Sequence, residues 1–191
     1  MLRVIGISGS PRQGGNSETL LSAVLAGTGE AGAGHSVVRL SKLRYRGCQG
    51  CDACQTQGEC VLKDDLAAVH RQLREANLWV LAAPIYYDGV CGQMKLFFDR
   101  LRPFSVRKLP GRRAGLILIT YEDKEREDYA RHARVFAGYL GWFGDFRPAE
   151  TFCAARLGER TAAKARADLL RQATEAGGRL ASILRSDASH R

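Results

Sequence analysis

Four cysteines fall within thirteen residues of this chain, Cys48, Cys51, Cys54 and Cys60, in the spacing C-x2-C-x2-C-x5-C. Thiolates crowded onto one short loop can surround a cubane of iron and sulfide, the logic of the ferredoxin run C-x2-C-x2-C-x3-C. A 4Fe-4S cluster is therefore the first reading of the pattern. Zinc sites more often pair two knuckles a dozen or more residues apart, and unmetallated thiols are the third alternative. Cys91 and Cys153 stand outside the cluster. Cys91 opens a helix and reads as a packed or capping residue, Cys153 as a core thiol.

A second segment with chemical content is Ser8-Gly9-Ser10-Pro11-Arg12-Gln13-Gly14-Gly15-Asn16-Ser17. Its glycines let backbone amides face inward, its hydroxyls can donate, and Arg12 adds a fixed positive charge. A helix that starts at Asn16 or Ser17 would aim its dipole at the same place, so the loop reads as a phosphate cradle. Neither GKS nor GKT closes it and the spacing is not GxGxxG, which disfavours a nucleoside triphosphate. The plainer alternative is a Gly-rich turn with Ser and Asn capping a helix. A third segment, Pro84-Ile85-Tyr86-Tyr87-Asp88-Gly89-Val90, puts two tyrosines and a glycine where a flat ring could pack. Cradle and ring loop together describe a site for a planar mononucleotide.

The elements that must position these segments alternate along the chain. Apolar runs at 2–8, 36–40, 78–83 and 115–120 read as buried parallel strands, with a fifth within 143–152. Helical spacing follows at 16–25, 64–73, 91–101, 126–140 and about 159–184, with Gly177-Gly178 a potential break in the last. Five strand-helix units without an internal repeat predict an α/β fold, a doubly wound five-stranded parallel sheet of order 2-1-3-4-5 in three layers. The reading is one domain over 1–191 with a Cys-rich loop insertion at about 41–63. In such a sheet ligands bind at the carboxyl ends of the strands where the order reverses, between the loops after strands one and three. The loop after strand two, which carries the cysteines, emerges at the same edge.

Composition sets outer bounds. The 191 residues carry 29 Lys+Arg against 20 Asp+Glu, a net charge of +9, with 45% hydrophobic and 26% charged residues. That balance excludes extended disorder and suits phosphates, anionic cofactors or acidic partners. Basic residues are dispersed and do not alternate with aromatics, so nucleic acid is not an expected partner. With no long apolar run and no leader-like opening, neither a membrane partner nor export is expected, and a cytoplasmic location is. His35, His70, His132 and His190 show no ligand spacing and read as surface residues; Lys95, Asp99 and Arg100 read as polar or interface positions on a helix, with a solvated face the plainer alternative, and the arginines of the last helix as a solvated face.

GISGSPRQGGNSETLL at 6–21, CQGCDACQTQGECVLKDD at 48–65 and APIYYDGVCGQMKLFFDR at 83–100 resemble the flavodoxin-like NAD(P)H-dependent FMN reductases, and within them the iron-sulfur flavoproteins. The resemblance covers roughly the first hundred residues. It implies FMN, with its phosphate on Ser8, Ser10, Arg12, Asn16 and Ser17 and with Pro11 among the cofactor-binding residues. The isoalloxazine would lie on Pro84, Ile85, Tyr86, Tyr87 and Gly89, with Thr120 completing the site. It also implies a 4Fe-4S cluster on Cys48, Cys51, Cys54 and Cys60, and a homodimer or homotetramer in which the cluster approaches a flavin across the interface. Electrons would arrive from ferredoxin or NAD(P)H and leave to a small-molecule acceptor, with no catalytic acid, base or nucleophile. The alternative is a cluster-free NAD(P)H-dependent FMN or quinone reductase; a flavodoxin-type carrier fits the charge of +9 poorly. One departure is the loop 120–126, TYEDKER, charged and bulky where the family is often Gly-rich.

Overall fold

The computed structural model describes residues 1–189. Strands β1 (Arg3–Ser8), β2 (Gly34–Arg39), β3 (Leu78–Tyr86), β4 (Gly89–Val90), β5 (Leu109–Thr120) and β6 (Gly144–Ala154) alternate with helices α1 (Asn16–Glu30), α2 (Ala53–Gln57), α3 (Leu66–Glu75), α4 (Gly92–Asp99), α5 (Arg102–Val106), α6 (Glu127–Phe143) and α7 (Ala167–Ser189). The main sheet runs β2-β1-β3-β5-β6, all parallel, and β4 pairs antiparallel with the end of β3. Setting aside the two-residue β4, this is the expected flavodoxin-like order. No helix among the described residues is long and apolar enough to cross a membrane.

Period-two alternation divides the strands between two cores. Ile5, Ile7, Trp79, Leu81, Ile117 and Ile119 face one layer with Leu66, Leu73, Phe97, Phe104 and Phe136. Val4, Leu78, Val80, Leu116 and Leu118 face the other, with Leu20, Leu21, Val24 and Leu180. Both faces being covered is why these strands read as unbroken apolar runs rather than as alternating ones.

Three elements and two side chains depart from the sequence reading. The segment after β3 is a hairpin, not a plain loop, and the helix expected at 91–101 is two short helices, α4 and α5. Helix α7 runs unbroken through Gly177-Gly178. The glycines serve close approach instead: a Cβ on Gly177 would strike the carbonyl of Val24, and one on Gly27 the carbonyl of Thr174, so α1 and α7 meet backbone to backbone. His70 is buried, not on the surface, with its ring 5.3 Å from that of Phe104. Burial, aided by the nearby Arg100 and Arg74 charges, pushes its pKa down to about 4. Arg100 is buried too, held by Asp64 rather than solvated. The prediction for His190 lies outside the described residues.

Candidate functional site

A cleft of about 530 Å³ opens at the carboxyl edge of the sheet, within the range of small-ligand sites. The first loop contributes Ser10, Arg12, Asn16 and Ser17 to its lining, the hairpin contributes Pro84, Ile85, Tyr86 and Tyr87, and β5 contributes Thr120. Three expected residues are not in the lining. Ser8 is buried in β1, Pro11 is exposed on the loop, and Gly89 pairs with Tyr86 in the hairpin.

Helix α1 begins after Gly15 with no side-chain cap, so its first amides remain available to an anion. The loop before it is shaped by its own hydrogen bonds. Ser10 Oγ accepts from Arg12 N–H at 3.1 Å, and Gly14, at φ +66°, donates its N–H to Glu18 Oε2 at 2.6 Å. Glu18 also pairs with Arg39 on β2. The Ser17 and Thr120 hydroxyls lie 2.7 Å apart in the buried floor.

Asn16 opens α1 at the cleft, and its side chain is committed to a neighbouring segment. Its amide donates to the carbonyls of Leu157 (2.9 Å) and Glu159 (2.7 Å), and its Oδ1 accepts from Ala163 N–H at 3.0 Å. Both amide protons are thereby spent on positioning the segment 157–163 as a further wall. That wall brings Arg160 into the lining, with its Nη2 donating to Gln13 O at 3.2 Å. Nothing in the sequence marked Arg160, because it lies far along the chain from the cradle.

The hairpin tip holds Tyr87 at φ +49° and Asp88 at φ +59°. Two left-handed central residues are what a two-residue β-hairpin turn requires, yet neither is glycine, which costs roughly 1–3 kcal/mol per residue. Asp88 Oδ1 accepts from the Tyr129 hydroxyl at 2.7 Å. Arg126 stands 3.8 Å from Asp88, pairs with Asp123 and Asp128, and covers the Tyr129 ring at 4.4 Å. The hydrogen bond to Asp88 and desolvation push the Tyr129 pKa up to about 12. The charged segment 120–126 thus forms a wall knitted to the hairpin. Tyr87 itself projects fully into solvent.

All four clustered cysteines line a second pocket, together with Arg100 and Arg102. Cys54 is buried, Cys60 half-buried, and Cys48 and Cys51 exposed. Arginines from outside the loop pin it in place. Arg102 pairs with Asp52 at 2.6 Å, Arg107 donates to Thr56 O at 2.9 Å, and Arg74 donates to Gly58 O at 3.1 Å. Gly58 sits at φ +74° against Arg107, where a side chain would collide. Burial opposes ionisation of Asp64, but hydrogen bonds from Arg100, Arg46 and Leu66 outweigh it and hold its carboxyl below the usual range. Among the described residues no three His, Cys, Asp or Glu side chains converge tightly enough to hold a metal ion. That spacing concerns a single ion; a four-iron cube takes its thiolates at wider separation, and all four line this one pocket. Cys91 is buried, its thiol donating to Gly9 O at 3.1 Å, and Cys153 packs half-buried against the core.

Comparison with known proteins agrees with this geometry. A family model described as NADPH-dependent FMN reductase matches residues 2–143. An iron-sulfur flavoprotein of Archaeoglobus fulgidus is 37% identical over 119 residues, 62% of this chain and 54% of that protein. Another, of Methanocaldococcus jannaschii, is 35% identical over 105 residues, 55% of this chain and 54% of that protein. The chain thus spans about half the length of the curated relatives it matches. Among solved structures, the NAD(P)H:quinone oxidoreductase from Methanothermobacter marburgensis has a TM-score of 0.69 at 17% identity, covering 94% of this chain and 96% of that one. That likeness shows the fold.

Proposed function

We propose that this chain, which belongs to the NADPH-dependent FMN reductase family, is an FMN-dependent oxidoreductase of the iron-sulfur flavoprotein type. It would pass electrons from NAD(P)H or ferredoxin to a small acceptor. The observation that carries the reading is the cleft, where an uncapped helix N-terminus and Arg12 face a tyrosine-bearing hairpin across about 530 Å³.

The residues fit FMN. The first amides of α1, the Ser10 hydroxyl and Arg12 would hold the phosphate, and Arg160 would add a second positive charge at the rim. Pro84, Ile85, Tyr86 and Tyr87 would support the ring, and Thr120, fixed by Ser17, would bound its far side. Bound there, FMN supplies the ability to take two electrons as hydride and release them singly or together. The protein's part is to orient the ring and shield one face from water. Glu122, Asp123 and Arg126 border the cleft beside that ring, where a small polar acceptor would meet them.

A 4Fe-4S cluster on Cys48, Cys51, Cys54 and Cys60 would add a one-electron centre at the same sheet edge as the flavin. Its support is the shared pocket, the names of the relatives and the cationic residues around the thiols. A second reading, a cluster-free FMN or quinone reductase, is supported by the match to the NADPH-dependent FMN reductase family over residues 2–143. A homodimer or homotetramer in the cytoplasm, with acidic ferredoxin drawn to a chain of charge +9, completes the proposal. The reading is tested by adding FMN to the protein and following NAD(P)H oxidation with a quinone. Saturable turnover that requires FMN supports it, and none with either nicotinamide or with reduced ferredoxin refutes it.

A further inference from the structure

Arg100 is 1% exposed, and most of its hydrogen-bonding capacity is accounted for. Its Nη1 donates to Asp64 Oδ2 and to the carbonyl of Arg46, both at 2.7 Å, and its Nη2 donates to Asp64 Oδ1 at 3.1 Å. Asp64 is fixed in turn by the N–H groups of Arg46 and Leu66. One nitrogen is left without any partner: the buried Nε–H of Arg100 meets no acceptor. A buried donor of a charged group without a partner is costly, and native interiors rarely keep one without reason.

The surroundings narrow what that partner can be. Arg100 lines the pocket of the four cysteines. The acids of that pocket are engaged elsewhere, Asp52 by Arg102 at 2.6 Å and Asp99 by Lys95 at 2.7 Å. Of the four thiols, Cys60 stands within electrostatic reach of the Arg100 guanidinium. The sulfur of Cys60, charged when it is a thiolate, is the acceptor these surroundings favour, and a thiolate sulfur accepts far better than a thiol.

We propose that Arg100 is a positioning residue for the cysteine-held cluster, its Nε–H donating to the sulfur of Cys60 when that sulfur is a cluster-bound thiolate. The inference rests on the cluster reading given above. Asp64, four residues beyond Cys60, then acts as the clamp that aims the guanidinium. A hydrogen bond to a ligand sulfur favours the more negatively charged reduced cluster, so it raises the reduction potential. Because Arg100 is buried, salt would screen this effect little.

The test begins with protein purified without air and assayed for iron and sulfide. Its cluster is then titrated with dithionite, one electron per cluster, and followed by electron paramagnetic resonance, beside an Arg100→Lys variant that keeps the charge and loses the Nε–H. The expected result is a lower potential in the variant, with the reduced-to-oxidised ratio at fixed potential falling about tenfold, or about 59 mV for one electron. If the variant does not fold, wild-type protein carrying 15N-arginine decides instead, through a nitrogen coupling to the reduced cluster in pulsed resonance spectra. Wild-type protein without iron overturns the cluster reading itself. Iron-replete protein with an unchanged potential in the variant, or without the nitrogen coupling, overturns the Arg100 assignment alone.

Discussion

The Tyr129 hydroxyl donates to Asp88 Oδ1 at 2.7 Å, and this one bond ties the strained hairpin tip to α6. Because Tyr129 keeps its proton up to a pKa of about 12, the tie persists across the ordinary pH range. Tyr129→Phe removes it while keeping the ring under Arg126. The expected outcome is FMN affinity weaker by about threefold to tenfold, the worth of one hydrogen bond, read by fluorescence titration. Unchanged affinity would mean that the hairpin holds its shape without α6.

The phosphate cradle makes a sharper prediction. Arg12→Ala should weaken FMN about tenfold or more and leave riboflavin, which lacks the phosphate, nearly unaffected. Equal losses for both ligands would place Arg12 against the ring instead.

Stability should fall with acid in a way that His70 controls. Its folded pKa of about 4 lies below the unfolded value of about 6.5, so the unfolded chain takes the proton first as the pH drops. The contribution is complete above pH about 6.5 and is lost progressively as the pH falls toward 4, to a total on the order of 3 kcal/mol. Urea unfolding at pH 7 and 4.5 should show wild type losing about 2 kcal/mol more than His70→Gln. Parallel losses would show that His70 takes up its proton without resistance.

Much of this was legible in the residues. The apolar runs of β1, β3 and β5 and the three motifs placed the sheet, the cleft and the cysteine loop, because fully buried parallel strands and Gly-rich loops leave local signatures. What escaped depended on partners distant in sequence. The side chain of Asn16 looks free until Leu157, Glu159 and Ala163 claim it. Arg100 and His70 look solvated until α3, α4 and α5 enclose them. Tyr87-Asp88 lacks the Asn-Gly signal of a tight hairpin, so the strain that marks the site hid it from propensity. Gly177-Gly178 reads as a helix break unless α1 is known to press against it.

Two redox centres on one chain would both be visible in a single absorption spectrum. Protein purified without air should show flavin bands near roughly 375 and 450 nm on a broad shoulder near about 400 nm, with about four irons and four sulfides per chain. A clean flavin spectrum without iron would contradict the cluster and leave a simple FMN reductase. No flavin uptake at all would contradict the cleft as a mononucleotide site.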